Sequence, residues 1–209
     1  MDKPAPKRRK GILYVISAPS GAGKTSICRK VLTLFPNLQQ SISYTTRAMR
    51  PGEQEGRDYH FVSRAVFEQM VADGAFAEWA QVHGNSYGTA GATLEKACQA
   101  GVDILLDIDF QGAEQLRRSG LNGVFIFILP PAMNELRKRL ESRNTDDETV
   151  ISRRMHNAST EIAEAVNFDY LIVNDVLNQA VDKVRAIMIA EATRTEHVIK
   201  TLPEEFGLK

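Results

Sequence analysis

The chain has 209 residues, 43% of them hydrophobic, enough for one substantial core with smaller insertions. Lysine plus arginine and aspartate plus glutamate both number 26, so the formal net charge is zero and the pI is near 6.9. That balance argues against a bulk nucleic-acid or membrane binder but leaves room for small anionic substrates held by a local cation cluster. Two cysteines, Cys28 and Cys98, do not make a disulfide framework, and no apolar run forms a membrane span or a signal segment. A soluble cytoplasmic protein is the expectation.

Residues 1–10, with Lys3, Lys7, Arg8, Arg9 and Lys10 beside Pro4 and Pro6, read as a disordered basic tail rather than a nucleic-acid patch. The apolar run Ile12 to Ile16 then leads into Ala18-Pro19-Ser20-Gly21-Ala22-Gly23-Lys24-Thr25, which opens into the helical pattern from Ser26 to Leu32. Buried strand, glycine-rich turn and helix N-terminus, in that order, make a phosphate-binding loop. Gly21 and Gly23 lack a Cβ, so the backbone can curl and aim successive N–H groups at an anion, and the helix start adds the positive end of its dipole. Lys24 is placed to reach β- and γ-phosphates and Thr25 to ligate Mg²⁺. Ala18 stands where the usual pattern has its first glycine, at the strand end, where a small side chain suffices.

Phe35-Pro36-Asn37 ends that helix. A short strand is expected from Ser41 to a turn holding Arg47 and Arg50, and another over Arg57 to Val62. Ser63 reads as the N-cap of a helix to about Val71, with Val66, Phe67 and Met70 on one face and Gly74 as its stop. A strand through Phe76, Trp79 and Val82 leads into a turn-rich stretch from His83 to Gly88, and Thr89 to Ala100 reads as helix. Val102 to Asp109 is an apolar strand ending in acids, Ala113 to Arg118 helix, and Val124 to Leu129 a buried strand stopped by Pro130 and Pro131. Met133 to Arg143 is helical. A polar link covers Ser142 to Glu148, and the next helix places Ile151, Met155, Ala158, Ile162 and Val166 at helical spacing. Tyr170 to Asn174 is the last strand and Leu177 to about His197 the last helix. Apolar strands alternating with helices predict an α/β fold, a parallel sheet flanked by helices, while the alternating strands between about Ile42 and Tyr87 read as an inserted module.

Asp107, at the end of an apolar strand, sits where a carboxylate can steer Mg²⁺ or its waters. Arg47, Arg50 and Tyr59 make one candidate phosphate cradle. Arg139 and Arg143, at i and i+4, with Arg153 and Arg154 beyond the link, make a second cluster able to close over transferring charge. Taken alone, each arginine cluster also reads as an ordinary solvated surface.

Ser17 to Thr25, Ser43-Tyr44-Thr45-Thr46-Arg47, Gly56-Arg57-Asp58-Tyr59-His60-Phe61, Glu78-Trp79-Ala80, Tyr87-Gly88-Thr89 and Leu106-Asp107-Ile108-Asp109-Phe110-Gln111-Gly112 together resemble guanylate kinase, from about Gly11 to about Ala190. The resemblance implies a P-loop core (11–40 and 101–190), a strand-rich GMP-binding module (about 41–100), a small lid (about 139–155) and a C-terminal helix end and tail (191–209). It implies transfer of the γ-phosphate of ATP to GMP, and to dGMP, with Mg²⁺, within purine nucleotide metabolism. By the same resemblance the P-loop residues and Asn174, near adenine, bind ATP. Arg47, Arg50, Tyr59 and Tyr87 hold the GMP phosphate; Ser43, Glu78, Thr89 and Asp109 contact guanine. Thr25 and Asp107, the latter through water, serve the metal, and Lys24, Arg47, Arg139, Arg143 and Arg154 carry catalysis. Met49 falls where many relatives carry proline, which removes no contacting group. The implied partners are ATP and GMP, with no nucleic acid or membrane, and a homodimer is left open. The assignment of Glu78 and Asp109 has its own chemistry: guanine offers N1–H and N2–H₂ donors on one edge, whereas adenine would leave a carboxylate there unpaired. Adenylate and thymidylate kinases, whose acceptor modules are helical, and the non-catalytic guanylate-kinase-like modules of scaffold proteins, which lack a working P-loop, are the competing readings.

Overall fold

The computed structural model describes residues 9–82, 84–142 and 147–208; the expectations for residues 1–8 and for Arg143 lie outside them. In chain order the elements are β1 (Leu13–Ser17), α1 (Lys24–Leu34), β2 (Leu38–Gln40), β3 (Tyr44–Thr45), β4 (His60–Phe61), α2 (Arg64–Ala72), β5 (Phe76–Val82) and β6 (Asn85–Ala90). Then follow α3 (Gly91–Gln99), β7 (Asp103–Asp107), α4 (Phe110–Arg118), β8 (Val124–Leu129), α5 (Met133–Glu141), α6 (Glu148–Ala163), β9 (Tyr170–Val173), α7 (Leu177–Ala192) and α8 (Thr195–Val198).

The central sheet has the order β2-β7-β1-β8-β9, with every pair parallel. The middles of its inner strands are apolar because helices cover both faces. On one face Tyr14, Ile16, Leu105, Ile126 and Ile128 pack against Ile27, Cys28 and Val31 of α1 and Ala180, Val184 and Met188 of α7. On the other, Leu13, Val15, Ile104 and Leu106 meet Leu94 of α3 and Ala113 and Leu116 of α4. A third, smaller cluster joins Leu136 and Leu140 of α5 to Ala158 of α6. The register matters for function: Asp107 lies level with Ile16, so the acidic end of β7 stands beside the start of the loop that leaves β1.

A second, four-stranded sheet, β4-β3-β6-β5, is inserted between β2 and α3. Helix α2 follows the expected N-cap, with the Ser63 hydroxyl accepting from the Val66 N–H. Several boundaries differ from the sequence expectation. Beyond Val82 the expected turn-rich stretch is mostly strand: β5 and β6 form a hairpin that pairs Val82 with Asn85. Thr89 therefore belongs to β6, and the helix begins two residues later at Gly91. Gly88 looked like a turn residue, but it lies in the strand because the Phe76 ring occupies the place of its side chain, 2.9 Å from where a Cβ would lie. The strand expected over Arg57 to Val62 shortens to two residues because Gln54 to Asp58 form a turn, closed by the Asp58 carboxylate on the Gln54 N–H. Leu38–Gln40 is a strand too short to show a pattern, held at the sheet edge by β7. Val66 and Val166, expected on buried faces, are exposed. The last helix breaks after Ala192 before the short α8. Among the described residues no helix is long and apolar enough to cross a membrane.

Candidate active site

The loop between β1 and α1 is shaped as its sequence requires. Gly21 and Gly23 both have φ +95°, a region open to glycine and strained for other residues. Gly23 is the N-cap of α1, no side chain caps that end, and no acid occupies its first turn, so the first N–H groups face the cavity uncompensated. The loop is braced from behind. The Asn174 amide, buried just after β9, donates to the Ala22 carbonyl at 2.7 Å, and a Cβ on Gly23 would come within 2.3 Å of the same nitrogen. The Asn174 carbonyl in turn accepts from Arg139 at 3.0 Å. Thus Asn174, expected near a base, has its side chain committed to the loop itself.

Lys24 leads α1 and points along the end of β7. Its Nζ lies 2.6 Å from Asp107 Oδ1 and donates to the Ile108 carbonyl at 2.7 Å. Burial works against its charge, and Asp107 more than restores it, leaving its pKa above the usual lysine value. Around this point lies a cavity of about 450 Å³, lined by Ala18, Pro19, Ser20, Gly21, Gly23, Lys24 and Thr25 on one side. Helix α6 supplies the opposite wall through Arg154, Asn157 and Glu161, spaced i, i+3, i+7 on one helical face, while Arg153 is exposed. Burial, reinforced by Asp109, pushes the Glu161 carboxyl up to about 7. Asn157 and Glu161 were not anticipated, although their spacing from Arg154 was a legible signal.

A second cavity, of about 140 Å³, is lined by Ser43, Tyr59, Glu78, Ala80, Val82, Tyr87, Asp107, Ile108 and Asp109. Asp109 and Val82 line both cavities, so the two adjoin. The floor is acidic. Glu78 is buried on β5 and accepts from the Thr89 hydroxyl at 2.5 Å, and Thr89 lies 3.3 Å from the Ser43 hydroxyl. Burial pushes the Glu78 carboxyl up to about 7, against the Thr89 hydrogen bond and with help from Asp109. Asp109 caps α4 through the Gly112 N–H at 2.9 Å. Strand β5 is clamped to α4 by Gln115, whose side-chain amide both accepts from and donates to the Trp79 backbone, at 3.0 and 2.7 Å.

Arg47 does not line this cavity, but its guanidinium lies 5.4 Å from the ring centroid of Tyr59, which does, and 5.8 Å from that of Phe61, and the Tyr59 and Tyr87 rings meet edge to face at 5.9 Å. The Arg50 side chain is exposed and lines neither cavity, and Arg139 sits at the outer side of the loop. The structure thus brings together Lys24, Thr25 and Arg154 at one cavity and Ser43, Tyr59, Glu78, Tyr87, Asp107 and Asp109 at the other, with Lys24 paired to Asp107 between them.

A phosphate cradle on a parallel sheet, adjoining a carboxylate-floored pocket on an inserted sheet, defines a P-loop kinase of small molecules. A protein-family model described as "Guanylate kinase" matches residues 10–191. The chain is 58% identical over 191 residues to the guanylate kinase of Syntrophotalea carbinolica, covering 91% of each. It is 52% identical over 201 residues to that of Geobacter sulfurreducens, covering 96% of this chain and 99% of the relative. The crystal structure of guanylate kinase from Anaplasma phagocytophilum matches with a TM-score of 0.74 at 36% identity, over 91% of this chain and 90% of that one. This chain belongs to the guanylate kinase family.

Proposed function

We propose that this chain catalyses ATP + GMP ⇌ ADP + GDP, with the donor in the P-loop cavity and the acceptor in the pocket floored by Glu78. The observation that carries this reading is the junction of the two cavities: Lys24 of the P-loop cavity lies 2.6 Å from Asp107, which lines the acceptor pocket, so an acceptor bound in that pocket would lie beside a donor phosphate held by Lys24. The core would comprise about 11–40 and 101–190, the acceptor module about 41–100 and the lid about 139–155.

Glu78 and Asp109, with Ser43 and Thr89, would take the guanine edge. Arg47, Arg50, Tyr59 and Tyr87 would take the GMP phosphate, with Arg50 swinging in from its exposed position. These contacts fall on base and phosphate, so dGMP would serve as well. Lys24 would hold the β- and γ-phosphates, with the backbone of residues 18–25 around them. Arg139, Arg143 and Arg154 would close with the lid, balancing charge and excluding water from the transfer. Asn174 would mark the adenine end of the donor site while bracing the loop. The attacking phosphate oxygen is already ionised near neutral pH, so no general base is assigned. The oxygen donors beside Lys24 suit a hard divalent ion: the Thr25 hydroxyl and, through water, the Asp107 carboxylate would hold Mg²⁺, which supplies charge neutralisation across the β- and γ-phosphates. Free nucleotides as substrates and two free cysteines, one of them buried, suit a cytoplasmic enzyme.

A coupled ADP-release assay with ATP, Mg²⁺ and each of GMP, AMP, dTMP and UMP tests the reading. Turnover with GMP and not with the other three is expected. Turnover with AMP instead, or a Glu78→Ala variant that still prefers GMP over AMP, would overturn the guanine assignment.

A further inference from the structure

The turn Arg47-Ala48-Met49-Arg50-Pro51-Gly52-Glu53 ends on a carboxylate that the phosphate-binding scheme does not use. Its two oxygens are divided. Oε1 accepts from Arg47 Nη2 at 2.7 Å, and Oε2 accepts from the Arg50 backbone N–H at 2.7 Å. The Glu53 N–H closes the same turn onto the Arg50 carbonyl at 3.1 Å. Arg47 is held at further points: its Nη1 donates to the Ala48 carbonyl at 2.8 Å, and its backbone N–H donates to the Thr45 hydroxyl at 3.1 Å. The guanidinium is thereby set above the ring of Tyr59, which lines the acceptor pocket.

Another pair in the chain shows what a closed arginine–carboxylate pair looks like. Arg9 gives Nη1 and Nη2 to both oxygens of Asp103, at 2.7 Å each, and that bidentate fork consumes the edge that would otherwise meet a phosphate. Glu53 takes only one nitrogen of Arg47 and spends its other oxygen on the backbone. The arginine is therefore oriented without the two-point fork that closes Arg9 onto Asp103. An unheld arginine side chain loses rotamer freedom on meeting a ligand, and a side chain already held loses less.

We propose that Glu53 is a positioning residue for the acceptor phosphate: it sets Arg47 and the Arg50 turn in the geometry that receives the phosphate of GMP. This rests on the reading that Arg47 contacts that phosphate. The opposite sign is physically available, since a carboxylate beside Arg47 could instead compete with the phosphate, and the test separates the two.

Affinities for GMP and for guanosine are measured by calorimetry on wild type, Glu53→Gln, Glu53→Ala, Arg47→Ala and the double variant, alongside KM for ATP. Expected are an approximately 10-fold loss of GMP affinity in Glu53→Ala, a smaller loss in Glu53→Gln, unchanged guanosine affinity and unchanged KM for ATP; tenfold corresponds to about 1.4 kcal/mol. The double variant should bind GMP no more weakly than Arg47→Ala alone, because Glu53 acts through Arg47. Tighter GMP binding in Glu53→Gln would make Glu53 a competitor and overturn the proposal. An equal loss for guanosine would reduce its role to the fold of the module and overturn it too. If Arg47→Ala loses GMP affinity and neither Glu53 variant does, this inference fails alone; if Arg47→Ala leaves GMP affinity intact, the reading beneath it fails.

Discussion

Gly112 offers a way to move the Glu78 carboxylate, the proposed reader of guanine, without touching it. It is the third residue of α4, and a Cβ built there would lie 2.5 Å from Glu78 Oε2 and 3.1 Å from its Cδ. Real Cβ contacts essentially never fall below 3.0 Å, so in Gly112→Ala the carboxylate must retreat by about 0.5 Å or more. The clashing atom is the end of a side chain, and alanine favours a helix over glycine by about 1 kcal/mol, so stability should change little. Function should change a good deal. Glu78 is buried, already fastened to Thr89 at 2.5 Å, and β5 is clamped to α4 through Gln115, so the carboxylate has little room to withdraw and still meet the base. Since a displacement near 1 Å can cost about 100-fold, a shift of this size predicts a loss of roughly 10- to 100-fold in kcat/KM for GMP, with KM for ATP unchanged. Steady-state kinetics in both substrates, with urea unfolding as control, is the assay. A Gly112→Ala enzyme with full kcat/KM for GMP and normal stability would refute the placement of Glu78 as the base reader.

Asn174→Ala removes the amide that braces the P-loop and strands the Ala22 carbonyl. About 1–3 kcal/mol of stability should be lost, read by denaturant unfolding, with weaker ATP binding and an unchanged affinity for guanosine. Glu78 also predicts a pH dependence. Its carboxyl must be ionised to accept from guanine, and in the folded protein it is pushed up to about 7, so guanosine affinity should fall as pH drops below about 7, approaching tenfold per unit. Guanosine is the probe because a phosphate monoester titrates near 6 and would blur the curve. Because the folded pKa lies above the ordinary 4.5, Glu78 costs stability above pH 7, and that cost is relieved as pH falls from about 7 to 4.5; Glu78→Gln should abolish the dependence in guanosine affinity and remove the Glu78 share of the dependence in unfolding, leaving the share that Glu161 contributes over the same range.

Much of this protein is legible in sequence because its signals are local. The P-loop is a contiguous strand, turn and helix, and its glycines announce the positive φ that the turn adopts. Apolar runs such as Val124–Leu129 identify strands buried on both faces, and Ser63 marks a helix start through a bond to its own N3 amide. Where an element depends on a distant partner, sequence reasoning falters: β6 is polar and glycine-bearing, and becomes strand only because β5 pairs with it and Phe76 fills the space at Gly88.

The chemistry of the site divides in the same way. Sequence by itself determined which residue types are available for the proposed phosphate, metal and base contacts, since Lys24, Thr25, Asp107, Glu78 and the arginines stand in recognisable motifs. Only the tertiary structure decided which of them converge. The parallel register of β1 and β7 brings Asp107 to Lys24, and the helical phase of α6 turns Arg154 rather than Arg153 into the cavity, with Asn157 and Glu161 beside it. The missing side chain of Gly112 makes room for Glu78, and Glu53 reaches back six residues to hold Arg47. The physical reason is the range of the forces involved. Backbone conformation is dictated by neighbouring residues, whereas distance and burial, which set hydrogen bonds and pKa values, exist only once distant segments have packed.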